Sequence, residues 1–405
     1  MGKVSAPFFC STLLLVIIII LFDFFAKLIF GIGLSNTVDQ IIQLSKVQIY
    51  YSRIVVVVIF VLSLIIWLNW RSSKLATKNQ LILWAPLFTL LLLNIRITSE
   101  SFSEVLRTAN FSITILSCIL LAATPGISKL FFKQIYLCVF LSSLIGVVLF
   151  AIGSKFSYFT DGYGFMYTGV FAHKDKASLS AALGLILGVH YYLQERKRFH
   201  FFVIILQVIA LILASTLSSV FAALIGVIAI IFPRPAFIFI SVNSMLLPFY
   251  HTTYSSFALI LGKNSTFTGR TTLWDFTIFE GIKKPIFGHG FQHLSQTDEW
   301  SKMLEQKFKS DAFFIPHAHN LWVELFYKFG IVGIVVHIMM LVILPLYIIK
   351  YKNLTHTSAI AFSIMTAMMA KSALTLPFLT SDVSSYIWVF SISVLAVDQL
   401  SMKRV

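Results

Sequence analysis

The sequence predicts an all-α fold, a polytopic integral membrane protein of about twelve transmembrane helices with one long periplasmic loop that contains short helices. Three observations lead there. Hydrophobic residues make up 58% of the 405 and charged residues only 12%, with a mean hydropathy of +0.89, whereas charged residues form roughly a quarter of a soluble domain. Apolar runs long enough to cross a hydrocarbon core of about 30 Å, which takes roughly 20 helical residues, recur along the whole chain. The Lys/Arg clusters between them obey an alternating topology. A single membrane domain over residues 1–405 is the economical division, because no soluble domain of ordinary size fits between the spans.

The spans follow in order. The first, near 12–34, is too long for a signal-peptide core and has no small-residue cleavage site, so it reads as an uncleaved anchor. Its Asp23 and Lys27 lie four residues apart and can pair on one helix face. Spans near 54–70, 80–98, 111–124 and 130–152 come next, then 177–194, 200–215, 218–232 and 236–262, and finally 330–350, 357–377 and 383–400. The basic clusters Arg71/Lys74/Lys78, Lys129/Lys133, Arg196-Lys197-Arg198, Arg234, Lys350/Lys352 and Lys403-Arg404 all fall on one side of such a chain. That side is the cytoplasm, and both termini join it. Cys10, Cys118 and Cys138 lie in or beside apolar runs without metal-ligand spacing and read as packing residues.

The same alternation puts 153–176 and the large loop 263–329 on the periplasmic side. That loop carries Lys263, Arg270, Lys283, Lys284, Lys302, Lys307, Lys309 and Lys328, against the topological bias, and so calls for an anionic ligand. Part of the net charge of +15 is topological and implies no nucleic-acid partner. Within the loop, Thr271 or Thr272 can cap a helix running through Leu273, Trp274, Phe276, Phe279 and Ile282 to Lys283-Lys284-Pro285, its apolar stripe lying on the membrane surface or on the bundle. A second helix begins with Asn320 as N-cap, carries a Glu324/Lys328 pair, stops at Gly330 and leads into the tenth span.

Chemistry-bearing residues gather on the outer side. Arg270 stands at a predicted helix start, where free backbone N–H groups and the helix dipole already favour an anion and its planar fork can hold two phosphate oxygens. His319 also precedes a helix start, whose dipole disfavours imidazolium and keeps the ring able to accept a proton or bind a hydroxyl. His317 points elsewhere if its segment is extended. In the other outer loop, Asp175 is a plausible cap for the sixth span, with His173 and Lys174 beside it at the interface. Lys371 lies toward the outer end of the eleventh span, and an intramembrane charge is a functional suspect. The outer acids Asp161, Asp275, Glu280, Asp298, Glu299 and Asp311 form no Asp-x-Asp pair, so no metal and no cofactor is predicted; cationic side chains would stabilise the leaving group instead.

Three motifs in this order, Gly269-Arg270-Thr271-Thr272-Leu273-Trp274, Pro285-Ile286-Phe287-Gly288-His289-Gly290-Phe291, and His317-Ala318-His319-Asn320 leading to Phe329-Gly330-Ile331-Val332-Gly333, resemble the O-antigen ligase and polymerase superfamily over roughly 169–333. The resemblance implies a metal-independent, inverting membrane glycosyltransferase on the outer face of the bacterial inner membrane, with a glycan on undecaprenyl diphosphate as donor. Arg270 would then grip the diphosphate and His319 would activate or position the acceptor hydroxyl. Lys174, His173, His317, Asn320 and Lys371 are expected as further substrate contacts from their placement toward the outer side. The acceptor is a lipid-linked repeat unit for a polymerase and lipid A core for a ligase; a chain-length regulator is a further partner of the polymerase branch, and membrane lipids surround either. Ligases of this kind carry an arginine soon after a Thr-x-Ser, but Thr216-Leu217-Ser218 is followed here by Ser219. Gly169 to Lys176 and the His-x-His-Asn motif resemble polymerases, which favours polymerase over ligase. A flippase or transporter is the remaining alternative, and would concentrate its polar groups near the midplane.

Overall fold

The computed structural model describes residues 13–14, 38–69, 74–98, 102–161, 164–171, 174–247, 270–291, 318–351, 354–373 and 383–402. Of the features expected above, the first span apart from residues 13–14, the Asp23/Lys27 pair, Cys10, Arg71, residues 248–262 of the 236–262 span, His173, His317, Lys263, Gly269, Asp298, Glu299, Lys302, Lys307, Lys309, Asp311, Lys352 and Lys403-Arg404 lie outside the described residues.

Four long helices come first: α1 (Val38–Asn69), α2 (Lys74–Thr98), α3 (Phe102–Ala122) and α4 (Ile127–Ala151). A short antiparallel hairpin, β1 (Tyr158–Asp161) and β2 (Gly164–Tyr167), leads to α5 (Lys174–Glu195), α6 (Arg198–Ala214), α7 (Leu217–Ile231) and α8 (Pro233–Leu246). Then come α9 (Arg270–Lys283), α10 (Leu321–Ile338), which continues through a π turn into α11 (Leu344–Tyr351), α12 (His356–Ser372) and α13 (Val383–Met402).

The described chain is helical apart from the hairpin, which the reading of 153–176 as a plain loop missed. Among the described residues, Glu104–Ala122, Ile127–Ala151 and Leu321–Tyr347 are long and apolar enough to cross a membrane, and five shorter apolar helices accompany them. Several helices begin well before the predicted spans: α1 starts at Val38 rather than near 54, and α3 at Phe102 rather than near 111. Their first turns are too polar to register as apolar windows, yet nothing in them breaks a helix.

At the centre stands α12. Every residue from Ile360 to Ser372 is buried, as are Ser385 to Ala396 of α13, so these two helices have no lipid-facing side among those stretches. A helix that is apolar all round belongs in such a place. Thr355 caps α12 by accepting from the Ser358 amide at 3.1 Å. Helices α5, α7, α8 and α13 pack on α12, with Phe237 against Phe362. On the other flank Phe131 and Phe132 of α4 meet Phe390 of α13, and Gln80 of α2 donates to the Ser393 carbonyl at 2.8 Å. The outer helices instead turn rows such as Ile54, Val57, Val58, Val61 and Ile65 outward, as lipid contact requires. Cys118 and Cys138 are buried free thiols, in keeping with packing roles.

Candidate active site

The site grows from the way α9 and α10 lie side by side. Trp274, in the second turn of α9, is fully buried and its Nε1 donates to the Ala318 carbonyl at 2.9 Å, just before α10. One turn from the other end of α9, Gly281 lets Phe326 and Tyr327 of α10 approach so closely that a β-carbon there would collide with the Phe326 ring at 2.7 Å. The two helices therefore run in the same direction, with their N-termini at one end.

That end holds His319 in a fixed turn. The Ala318 amide donates to Glu324 Oε2 at 2.7 Å while its carbonyl takes the Trp274 indole, so both of its backbone groups are committed. On the other side Asn320 caps α10: its Oδ1 accepts from the Trp322 and Val323 amides at 2.9 and 3.2 Å, and its Nδ2 donates to the Ala373 carbonyl at 3.0 Å. Between these anchors His319 sits half-buried at φ 54°, in the left-handed region that a non-glycine residue rarely occupies. A histidine held in that conformation from both sides has its direction set before any substrate arrives.

Farther along, α10 is broken at Gly330 (φ 62°, ψ −158°), a conformation essentially restricted to glycine. The break frees backbone groups that a membrane helix would otherwise use internally, and the loop 285–290 takes them up. His289 and Gly290 amides donate to the Tyr327 and Lys328 carbonyls at 2.8 Å each, and the Ile331 and Val332 amides donate to the Pro285 and Ile286 carbonyls at 2.8 and 3.3 Å. No room remains for a side chain at the crossing: a β-carbon on Gly330 would meet the Ile286 carbonyl, and one on Gly288 the Lys328 peptide. His289 closes the clamp by stacking on Tyr327 (centroids 4.8 Å apart, 11° between planes) while its Nε2–H donates to the Glu280 carbonyl at 2.9 Å. Burial pushes its pKa down, Lys284 and Lys283 push the same way, and Glu280 opposes them. Beneath it Lys328 pairs with Glu324 at 2.8 Å, both buried, and lies over the Phe291 ring.

Two more helix N-termini join this end. Asp175, in the first turn of α5, acts electrostatically on Arg270, the first residue of α9; burial lowers the guanidinium pKa and the Asp175 carboxylate partly restores it. Arg270 stays a cation, half-buried and offset by one acid. Ser178, also in α5, places its hydroxyl 2.8 Å from that of Ser219 in the first turn of α7. Lys371, near the end of the central helix α12, donates from Nζ to Ser219 Oγ at 2.8 Å. Since Asn320 binds Ala373 two residues on, four N-termini (α5, α7, α9 and α10) converge around the C-terminal end of α12. Each contributes the positive end of its dipole, so the arrangement is receptive to an anion even though Asn320 already takes the first amides of α10. The basic loop Arg196-Lys197-Arg198 follows the far end of α5, at the opposite end of the bundle.

The structure thus brings together Arg270, His319, Asn320, Lys371 and the half-buried Lys174, which opens α5. Several expectations need correction. Asn320 is committed to the cap and to Ala373, so it orients the His319 turn from within the fold. Helix α9 starts at Arg270 itself, which leaves Thr271 and Thr272 inside its first turn, and Asp175 likewise lies inside α5 because that helix starts at Lys174. The α9 stripe is split: Leu273 and Trp274 are buried, but Phe279 and Ile282 are each 61% exposed, since α9 docks through Thr271, Thr277, Glu280 and Gly281 as well. The second helix does not stop at Gly330 but resumes beyond the break. Two of the loop's lysines have acidic partners, Lys283 with Glu280 and Lys328 with Glu324, so its basicity alone does not demand a ligand. Sequence reasoning missed Trp274, Ser178 and Ser219 as organising residues; only the placement of a tryptophan and of serines at helix starts hinted at them.

Taken together the fold and this end of it define a helical membrane protein with an anion-receptive site built from helix N-termini. Residues 164–338 match the family model described as O-Antigen ligase, and this region carries the domain of the O-antigen ligase and polymerase superfamily. Members of that family are membrane glycosyltransferase-like ligases and polymerases of polysaccharide that use lipid-linked glycans. The match takes in Arg270, the clamp loop, His319 and the Gly330 break, and it ends before Lys371. Comparison with curated proteins found no match.

Proposed function

We propose that this protein polymerises a surface polysaccharide, O-antigen or exopolysaccharide, by moving a glycan from undecaprenyl diphosphate onto a lipid-linked repeat unit at the periplasmic face of the bacterial inner membrane. The observation that carries the reading is the convergence of four helix N-termini on one end, with Arg270 among them and His319 pinned beside them. A diphosphate is the kind of group such an end attracts. The basic loop at the opposite end of the bundle supports the periplasmic assignment by the positive-inside rule.

In the transfer, the acceptor hydroxyl oxygen attacks the anomeric carbon and forms the new C–O bond. The bond from that carbon to the diphosphate breaks, its electron pair stays with the leaving oxygen, and the hydroxyl proton passes to His319. Arg270 and the helix N-termini meet the negative charge that grows on the diphosphate, and Lys174 is a further cation at the rim. The single-displacement geometry inverts the anomeric centre. Residues 1–405 act as one membrane domain, of about twelve spans, in which the 263–329 segment carries the catalytic motifs.

The same geometry serves a ligase that delivers the glycan to lipid A core; Ser219 in place of the ligase-type arginine favours the polymerase. A strain lacking the gene separates them. Under the polymerase reading single repeats persist and long chains vanish. Long chains that accumulate on the lipid carrier and never reach the core would establish the ligase instead. Arg270→Ala and His319→Ala should accumulate in the membrane and make no polymer; wild-type polymer from both would overturn the site.

A further inference from the structure

Lys371 is the most deeply placed cation at the active end. It is 4% exposed, lies on the all-round-buried stretch of α12, and falls outside the region matched by the family model. Burying an ammonium in a membrane bundle costs several kcal/mol in desolvation, and a methionine, abundant just upstream at Met365, Met368 and Met369, would fill the same volume without that penalty. The ammonium does not point along its own helix axis into lipid. It reaches across to Ser219 in the first turn of α7.

From Ser219 the polar contacts run on through Ser178, whose hydroxyl also donates to the Asp175 carbonyl at 3.0 Å, and the Asp175 carboxylate acts electrostatically on Arg270. In the other direction along α12, Ala373 holds the Asn320 cap next to His319. Lys371 therefore stands between the Arg270 side and the His319 side of the site, at the focus of the converging N-termini.

We propose that Lys371 is a second cation for the leaving diphosphate, sharing with Arg270 the charge that develops as the glycan departs. This rests on the reading of this end as the transfer site. Cleavage leaves the lipid diphosphate with one more negative charge than it carried as a sugar diester, and one guanidinium already offset by Asp175 does not balance it. A second cation also gives the site a preference for diphosphate over monophosphate, so the lipid monophosphate carrier is not retained. The plain alternative is a lysine that complements the C-terminal dipole of α12.

The test measures binding of undecaprenyl diphosphate and undecaprenyl monophosphate to the purified full-length protein in lipid nanodiscs. Lys371→Met should keep its thermal stability and lose about tenfold in affinity for the diphosphate, with a change of about twofold or less for the monophosphate. The exchange Ser219→Lys with Lys371→Ser, which returns the ammonium to the same spot from α7, should restore the diphosphate preference and serves as the deciding variant if Lys371→Met fails to fold. Unaltered diphosphate affinity in Lys371→Met, or an exchanged protein that folds without the preference, overturns the proposal. Arg270→Ala run in parallel keeps the two readings apart: if it loses the diphosphate while Lys371→Met does not, only Lys371 was misassigned, and if neither loses it, the transfer site itself was.

Discussion

Replacing Glu324 asks whether the His319 turn is held by the fold or merely rests on it. Glu324 makes two buried contacts, to the Lys328 ammonium at 2.8 Å and to the Ala318 amide at 2.7 Å. Glu324→Leu alone strands a buried ammonium, which costs about 3–5 kcal/mol when one partner of such a pair is removed. Adding Lys328→Met removes the stranded charge, and the remaining loss is the unsatisfied Ala318 N–H, about 1–3 kcal/mol. The double variant should therefore recover most of the stability lost in the single one. Its activity should not recover. Without Glu324 one of the two ties on Ala318 is gone, and the left-handed conformation of His319, of order 1–3 kcal/mol uphill, has less to hold it. A displacement of about 1 Å at a reacting group can lower a rate about 100-fold. Thermal unfolding of the detergent-solubilised protein and polymer length on a gel read the two effects separately. A double variant that is as stable as the parent and as active would show that Glu324 does not position His319.

Three further outcomes follow from the same geometry. Gly330→Ala should fail to accumulate in the membrane, because the backbone conformation costs about 1–3 kcal/mol for any other residue and the new β-carbon collides with the Ile286 carbonyl; normal accumulation would mean the loop 285–290 does not clamp the break. The buried, depressed His289 is neutral in the fold, so below about pH 6.5 the unfolded chain takes up a proton that the folded one refuses, and stability falls as pH drops until the folded pKa is passed. His289→Phe, which keeps a ring on Tyr327, should flatten that dependence between pH 7.5 and 5.5, and an unchanged slope of melting temperature with pH would place the acid sensitivity elsewhere. Asn320→Ala should destabilise the protein by about 1–2 kcal/mol through the lost cap and lower activity more than that loss explains; polymer output that tracks the amount of folded protein would reduce Asn320 to a helix cap alone.

What the sequence disclosed about this end of the molecule was local. The Asn320 cap, the Glu324/Lys328 pair and the stop of α9 at Lys283 each depend on residues within four positions of one another, and the spacing rules for helices reach that far. The contacts that make a site of them do not. Trp274 meets Ala318 across 44 residues and Lys371 meets Ser219 across 152, and neither partner's identity constrains the other through any pattern in the chain. Gly330 read as a stop signal because glycine usually ends a helix. Here a second segment supplies the missing bonds, so the helix resumes on the far side, and the loop 285–290 that supplies them bonds residues 38 to 46 positions away, in a motif recognisable only as a unit. The 158–167 hairpin was hidden for a related reason: four-residue strands in an aromatic stretch carry no periodicity that separates them from a loop.

The gathering of helix starts around the end of α12 has a bearing on where such a protein can work. Peptide dipoles have no proton to gain or lose, so the attraction they provide is the same in acid as in neutral surroundings, and the guanidinium of Arg270 adds to it. An envelope exposed to the outside medium offers no buffering of its own. In such a place a grip written into the direction of the helices holds whatever the acidity outside.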